Sequence, residues 1–145
     1  MQRQRVALED AILDVLSGEE RGALAALRAL VKEQPGLTMA WATLVVLGLS
    51  QQDEALVDEA LAALGEVGRM DVRSLMIVAT AQLSRNQLEE ARVTLARVIR
   101  LRPTYLPAYE QLLRLDVAQA DKEAARRRVE TILSIDARNA LGYML

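Results

Sequence analysis

The sequence predicts an all-α fold, a right-handed α-solenoid of antiparallel helix pairs. Three observations carry this. The chain aligns with itself at a stride of 34 residues, without a gap, from Gln4 to Asn139. Between turn signals, apolar residues recur at the i, i+3 and i+4 spacing of one helical face. The 52% apolar content comes mostly from Ala, Leu and Val, with no Phe and only 3% aromatics. Such a composition suits close helix packing better than a sheet.

Four windows follow from the stride: 4–37, 38–71, 72–105 and 106–139. Numbering each window from 1, column 4 holds Ala7, Trp41, Leu75 and Tyr109, and column 8 holds Ala11, Val45, Ala79 and Leu113. Column 20 holds Ala23, Val57, Ala91 and Ala125, column 24 holds Leu27, Leu61, Leu95 and Val129, and column 27 holds Leu30, Leu64, Val98 and Ile132. Small side chains at columns 8 and 20 let the two helices of a pair approach closely. The larger ones at 24 and 27 fill the space toward the next helix. A generic bundle has no need of so constant a spacing.

The pattern predicts helices over 4–17, 20–33, 39–51, 54–67, 72–84, 87–101, 106–118 and 122–135. Gly18 and Asn86 stand at column 15, where the first helix of a pair ends and a left-handed residue is welcome. Asp53 and Asp121 follow as N-caps of second helices, and Thr38 and Asp71 are placed to cap first helices. Pro35 and Pro103 stop second helices. The second window ends in Gly65 and Gly68 without a proline, so its second helix is expected to be the loosest. Asp10 puts charge at column 7, where an apolar residue is usual, and Asp14 and Asp116 depart from the pattern at column 11.

These columns resemble the tetratricopeptide repeat (TPR), most closely from Asn86-Gln87-Leu88-Glu89-Glu90-Ala91 to Arg100-Leu101-Arg102-Pro103. The resemblance covers residues 4–139 and implies a single repeat domain over 1–145. Residues 140–145 then read as the start of a fifth, truncated repeat, with Tyr143 at column 4, as expected of a fragment of a larger protein.

Composition removes whole classes of function. With no Cys and no His, thiol chemistry, imidazole catalysis and the commonest metal ligands are absent. No phosphate-binding loop, metal-ligand cluster or nucleophile–base pair is recognisable, so no catalytic, cofactor or metal site is expected and the chain is not read as an enzyme. Arg126-Arg127-Arg128, with Arg92, Arg97 and Arg100 before it, lacks interleaved aromatics. It reads as a solvated face with Glu123–Arg127 and Arg126–Glu130 pairs, and no nucleic acid is expected as a partner. Residues 1–71 carry a net charge of −6 and residues 72–145 one of +4, a polarity that favours head-to-tail association or an acidic partner at the basic end. No segment reads as a signal peptide or transmembrane span. That points to the cytoplasm, and the Ala/Arg/Leu richness to a bacterial, high-GC genome.

What remains is protein binding. The TPR resemblance implies a concave groove lined by first helices. Carried over position by position, its lining is Leu8 and Ile12, then Met39, Thr43, Val46 and Leu49, then Arg73, Met76, Ile77, Thr80 and Leu83, then Gln111 and Arg114. The family's carboxylate clamp for chaperone tails is missing. Its Lys, Asn and Arg places hold Leu8, Ile12, Thr43, Arg73 and Ile77. The expected ligand is therefore an apolar segment or amphipathic helix of a partner protein. The alternative is a homo-oligomer formed through the groove or the terminal helices.

Overall fold

The computed structural model describes residues 2–20 and 22–144, with Gln2 and residues 139–144 described by their backbone alone. Its helices are α1 (Gln2–Leu16), α2 (Ala23–Glu33), α3 (Thr38–Ser50), α4 (Glu54–Val67), α5 (Val72–Ser84), α6 (Leu88–Leu101), α7 (Leu106–Ala118) and α8 (Lys122–Met144). Among the described residues there is no strand. The chain divides into two compact units, Met1–Val78 and Ala79–Leu145, and α5 passes from one into the other.

In the first unit α1 packs on α2 and α3, α2 on α3, and α3 on α4. α3 is apolar on nearly every side, because neighbours cover most of it: Ala40, Leu44, Val45 and Leu47 are buried. They meet Leu27 and Leu30 of α2 and Leu56, Val57 and Leu64 of α4 in one core. Each such leucine contributes about 1.5–3 kcal/mol over exposure. In the second unit α6 packs on α7 and α7 on α8, around Ala91, Leu95, Val98, Leu112, Leu115 and Ile135. At column 20, Ala23, Val57 and Ala91 are all buried, and Ala125 is half-buried.

The bends inside the pairs repeat. Gly18, Gln52, Asn86 and Ala120, each 34 residues from the last, have φ of 83°, 54°, 59° and 56°. Glycine and asparagine were expected there, whereas glutamine and alanine have no such preference. The cause is the closing hydrogen bonds. The N–H groups of Asp53, Gln87 and Asp121 reach back to the carbonyls of Gly48, Gln82 and Asp116 at 2.8–2.9 Å. This helix-ending motif needs a left-handed residue just before the donor.

The proline stops act as expected. α2 and α6 end at Glu33 and Leu101, two residues before Pro35 and Pro103. Both proline carbonyls are then used alike: Trp41 Nε1 donates to Pro35 O at 2.8 Å, and Tyr109 Oη to Pro103 O at 2.7 Å. Asp53 accepts from Leu56 N, Asp121 from Ala124 N, and Asp71 from Ser74 N, so these three caps form.

Three expectations need correction. Thr38 does not cap. It is the first residue inside α3, and Leu37 occupies the cap position without a side-chain hydrogen bond. α2 starts at Ala23 rather than 20, because Gly22 sits at φ 82° immediately before it. Gly68 is closely packed: a Cβ there would lie 2.4 Å from Ser74 Cβ. Finally, α8 does not stop near 135. With Ala137 at the position where α2 and α6 are followed by Pro35 and Pro103, the helix continues to Met144. The side chain of Tyr143 and all of Leu145 lie outside the described residues.

Candidate interaction surfaces

The residues expected to line a groove fall in both units. In the first, Met39, Val46 and Leu49 are exposed along α3, at the one- and two-turn spacing of a helical stripe. Leu8 and Ile12 are half-buried on α1, which packs directly against α3. Thr43 lies between the exposed α3 residues but is buried, and its Oγ1 donates to Met39 O at 2.6 Å. On α5, Arg73 is exposed and Met76 and Ile77 are half-buried. In the second unit Thr80 and Arg114 are exposed, and Leu83 and Gln111 are half-buried. The strongest apolar exposure among these residues is thus on α3, where no core contact requires Met39 or Val46.

The second unit contains a polar centre that sequence reasoning mistook. Asp116 on α7 is fully buried. Its Oδ2 accepts from Arg128 Nε of α8 at 3.1 Å, and its Oδ1 lies 2.9 Å from Arg92 Nη1 of α6. The second contact is an ion pair without hydrogen-bond alignment. Arg92 also donates through Nε and Nη2 to Gln119 Oε1, and Gln119 donates weakly to Glu89 at 3.5 Å. One carboxylate therefore ties three helices together. Arg92 and Arg128 are not parts of a solvated basic face, and among the described residues neither Glu123–Arg127 nor Arg126–Glu130 forms.

A signal for this centre was present. Column 11 holds Asp14, Gly48, Gln82 and Asp116, and twelve residues later column 23 holds Ala26, Ala60, Thr94 and Arg128. The two columns touch: Thr94 Oγ1 donates to Gln82 Oε1 at 2.7 Å just as Arg128 donates to Asp116. At the equivalent positions Gly48 and Ala60 are both small and buried.

The electrostatics of Asp71 are shaped by its capping contacts. The Ser74 hydroxyl, donating at 2.7 Å, holds its carboxyl below the usual aspartate value. Burial opposes this, while the backbone N–H groups of Ser74 and Arg73 and the Arg73 charge assist it. Among the described residues no cluster of acidic side chains could hold a metal ion, and no helix is long and apolar enough to cross a membrane.

The sequence matches no protein-family model and no curated protein. Its likeness is to solved structures of MamA. The MamA RS-1 ArsTM double mutant aligns with a TM-score of 0.75 over 94% of this chain and 76% of that one, at 17% identity. MamA MSR-1 C2 aligns with a TM-score of 0.72 over 94% and 78%, also at 17% identity. A crystal structure of MamA protein aligns with a TM-score of 0.67 over 92% and 73%, at 22% identity. The fold is a TPR-like helical repeat. Identities this low establish the fold alone.

Proposed function

We propose that this chain is a non-catalytic protein-interaction scaffold, built from four TPR-like repeats, that receives an apolar segment of a partner protein on its first helices. The observation that carries this reading is the exposed stripe of Met39, Val46 and Leu49 on α3, beside Ile12 and Leu8 of α1. Core packing explains the rest of α3 but not this stripe. Apolar side chains at one- and two-turn intervals match the anchors of an amphipathic helix, and methionine adapts its shape to the occupant. The TPR-like fold supports a binding role, because helix pairs of this kind carry surfaces rather than enclosed reaction centres.

A displayed library of random peptides long enough for four helical turns tests the reading. The chain enriches peptides with apolar residues at i, i+3 or i+4, and i+7, and a Val46→Glu, Leu49→Glu double variant of unchanged helicity loses them. Failure to enrich such peptides, or enrichment indifferent to the two substitutions, refutes it.

A further inference from the structure

α1 differs from its counterparts in what covers it. Val6 and Leu13 are 54% and 62% exposed. The residues 34 positions on, Ala40 and Leu47 of α3, are both 0% exposed, and those 102 positions on, Ala108 and Leu115 of α7, are 0% and 4%. α2 packs against α3, and α6 against α7. α8 shows the opposite half of the same contact. Val129 and Leu133 are 41% and 61% exposed, while their counterparts on α2, Leu27 and Val31, are 0% and 9%. Among the described residues the chain thus makes one kind of interface, between a second helix and the next first helix, at α2–α3 and at α6–α7. It leaves the covering half exposed on α8 and the covered half exposed on α1.

Charge completes the match. In the internal copy of this interface, Arg92 of α6 lies 2.9 Å from Asp116 of α7. Arg126 of α8 stands 34 residues after Arg92, and Asp14 of α1 stands 102 residues before Asp116. Both are therefore at the equivalent repeat positions. Arg126 is exposed and Asp14 half-buried.

We propose that a second copy of this chain docks its α8 on α1. Arg126 of one copy then pairs with Asp14 of the other, and Val129 and Leu133 cover Leu13 and Val6. The contact is heterologous: each copy offers two different faces, so association can propagate. The net negative charge of the N-terminal half and the net positive charge of the C-terminal half align the copies in this direction. Asp10 occupies the place of the buried Leu44 and Leu112, so a carboxylate enters the apolar face and keeps the association weak. This inference makes no use of the α3 stripe and stands apart from the scaffold reading.

Sedimentation velocity on the whole chain over a wide concentration range tests it. The expected result is a mass that rises with concentration past the dimer. Leu13→Glu and Leu133→Glu change exposed residues, so helicity stays intact, and each variant alone is monomeric. Mixed, the two form a 1:1 dimer, because each blocks a different face. Asp14→Arg weakens association about tenfold or more, Arg126→Asp in the same chain restores it, and Asp10→Leu tightens it. A chain monomeric throughout, which would mean that another occupant covers these faces, overturns the proposal. So does association insensitive to Leu13→Glu and Leu133→Glu, or blocked variants that fail to complement each other.

Discussion

Replacing Asp116 with alanine leaves Arg92 and Arg128 facing each other across the hole that the carboxylate filled. The cost follows from burial. Breaking a buried ion pair by removing one partner costs about 3–5 kcal/mol, because the remaining charge is uncompensated. Here the arginines keep 23% and 31% of their side-chain surface in water, which places the cost at the low end, about 3 kcal/mol. Arg128→Ala is milder, about 1–2 kcal/mol, because Arg92 still neutralises the carboxylate. Converting all three residues to alanine recovers part of the Asp116→Ala loss, since no unpaired charge remains. For a chain of this length, about 3 kcal/mol corresponds to a fall in Tm of roughly 6–12 °C. Two compact units need not unfold together. The assay is therefore urea titration by circular dichroism combined with amide exchange read on α7 and α8. If Asp116→Ala costs under about 1 kcal/mol there, or the triple variant is worse than the single one, the centre does not tie these helices together.

Three further outcomes are expected. Ala120→Gly relieves a left-handed alanine at φ 56° and raises the urea midpoint, worth about 1 kcal/mol; an unchanged or lowered midpoint contradicts the helix-end reading. Gly68→Ala drives a Cβ into Ser74 and costs about 1–3 kcal/mol in thermal melts, despite alanine's better helix propensity. Asp71 has its carboxyl held low in the folded chain, so its stabilising effect is complete above the ordinary aspartate value, about 3.9, and fades as pH falls through the lower folded value. Asp71→Ala should cost about 1 kcal/mol at neutral pH and flatten the acid limb of the stability curve, which a pH series of urea titrations measures.

The fold was legible because its determinants are local and recur. Pro35 and Pro103 end helices wherever they stand, and Asp53, Asp71 and Asp121 cap the helices that follow them. What was not legible depends on partners distant in sequence or on closure that overrides preference. Gln52 and Ala120 give no local hint of a left-handed backbone, because hydrogen bonds from the following residues impose it. Thr38 has the chemistry of a cap but begins the helix one position too late to serve as one. The end of α8 was misplaced because Ala137 permits what proline forbids. Among the expected binding residues, exposure at Met39 and Val46 follows from the helical period, whereas the burial of Thr43 depends on how closely α3 is enclosed. Asp116 looked like a departure from the repeat pattern because its two partners lie on other helices, 24 residues before it and 12 after.

The crossing of columns 11 and 23 suggests how near-identical helix pairs avoid mispairing. A repeat built only of Ala and Leu would let any first helix accept any second helix, since their apolar faces are interchangeable. This chain gives the crossing three different chemistries. Gly48 and Ala60, at the equivalent positions, are small and buried, and a Cβ on Gly48 would come within 2.8 Å of Val57 Cγ2. Gln82 with Thr94 is a neutral hydrogen bond, and Asp116 with Arg128 is charged. Pairing α7 with α6 instead of α8 would set Asp116 against Thr94, and pairing α5 with α8 would bury Arg128 against an amide. Each error strands a charge, and stranded charges discriminate more sharply than apolar area does. Exchanging the pairs in the second unit, Gln82→Asp with Thr94→Arg and Asp116→Gln with Arg128→Thr, should therefore preserve helix content. Either half of the exchange alone, Gln82→Asp with Asp116→Gln or Thr94→Arg with Arg128→Thr, should lower the urea midpoint and broaden the transition. A full exchange no more stable than its halves would show that the crossings do not select partners.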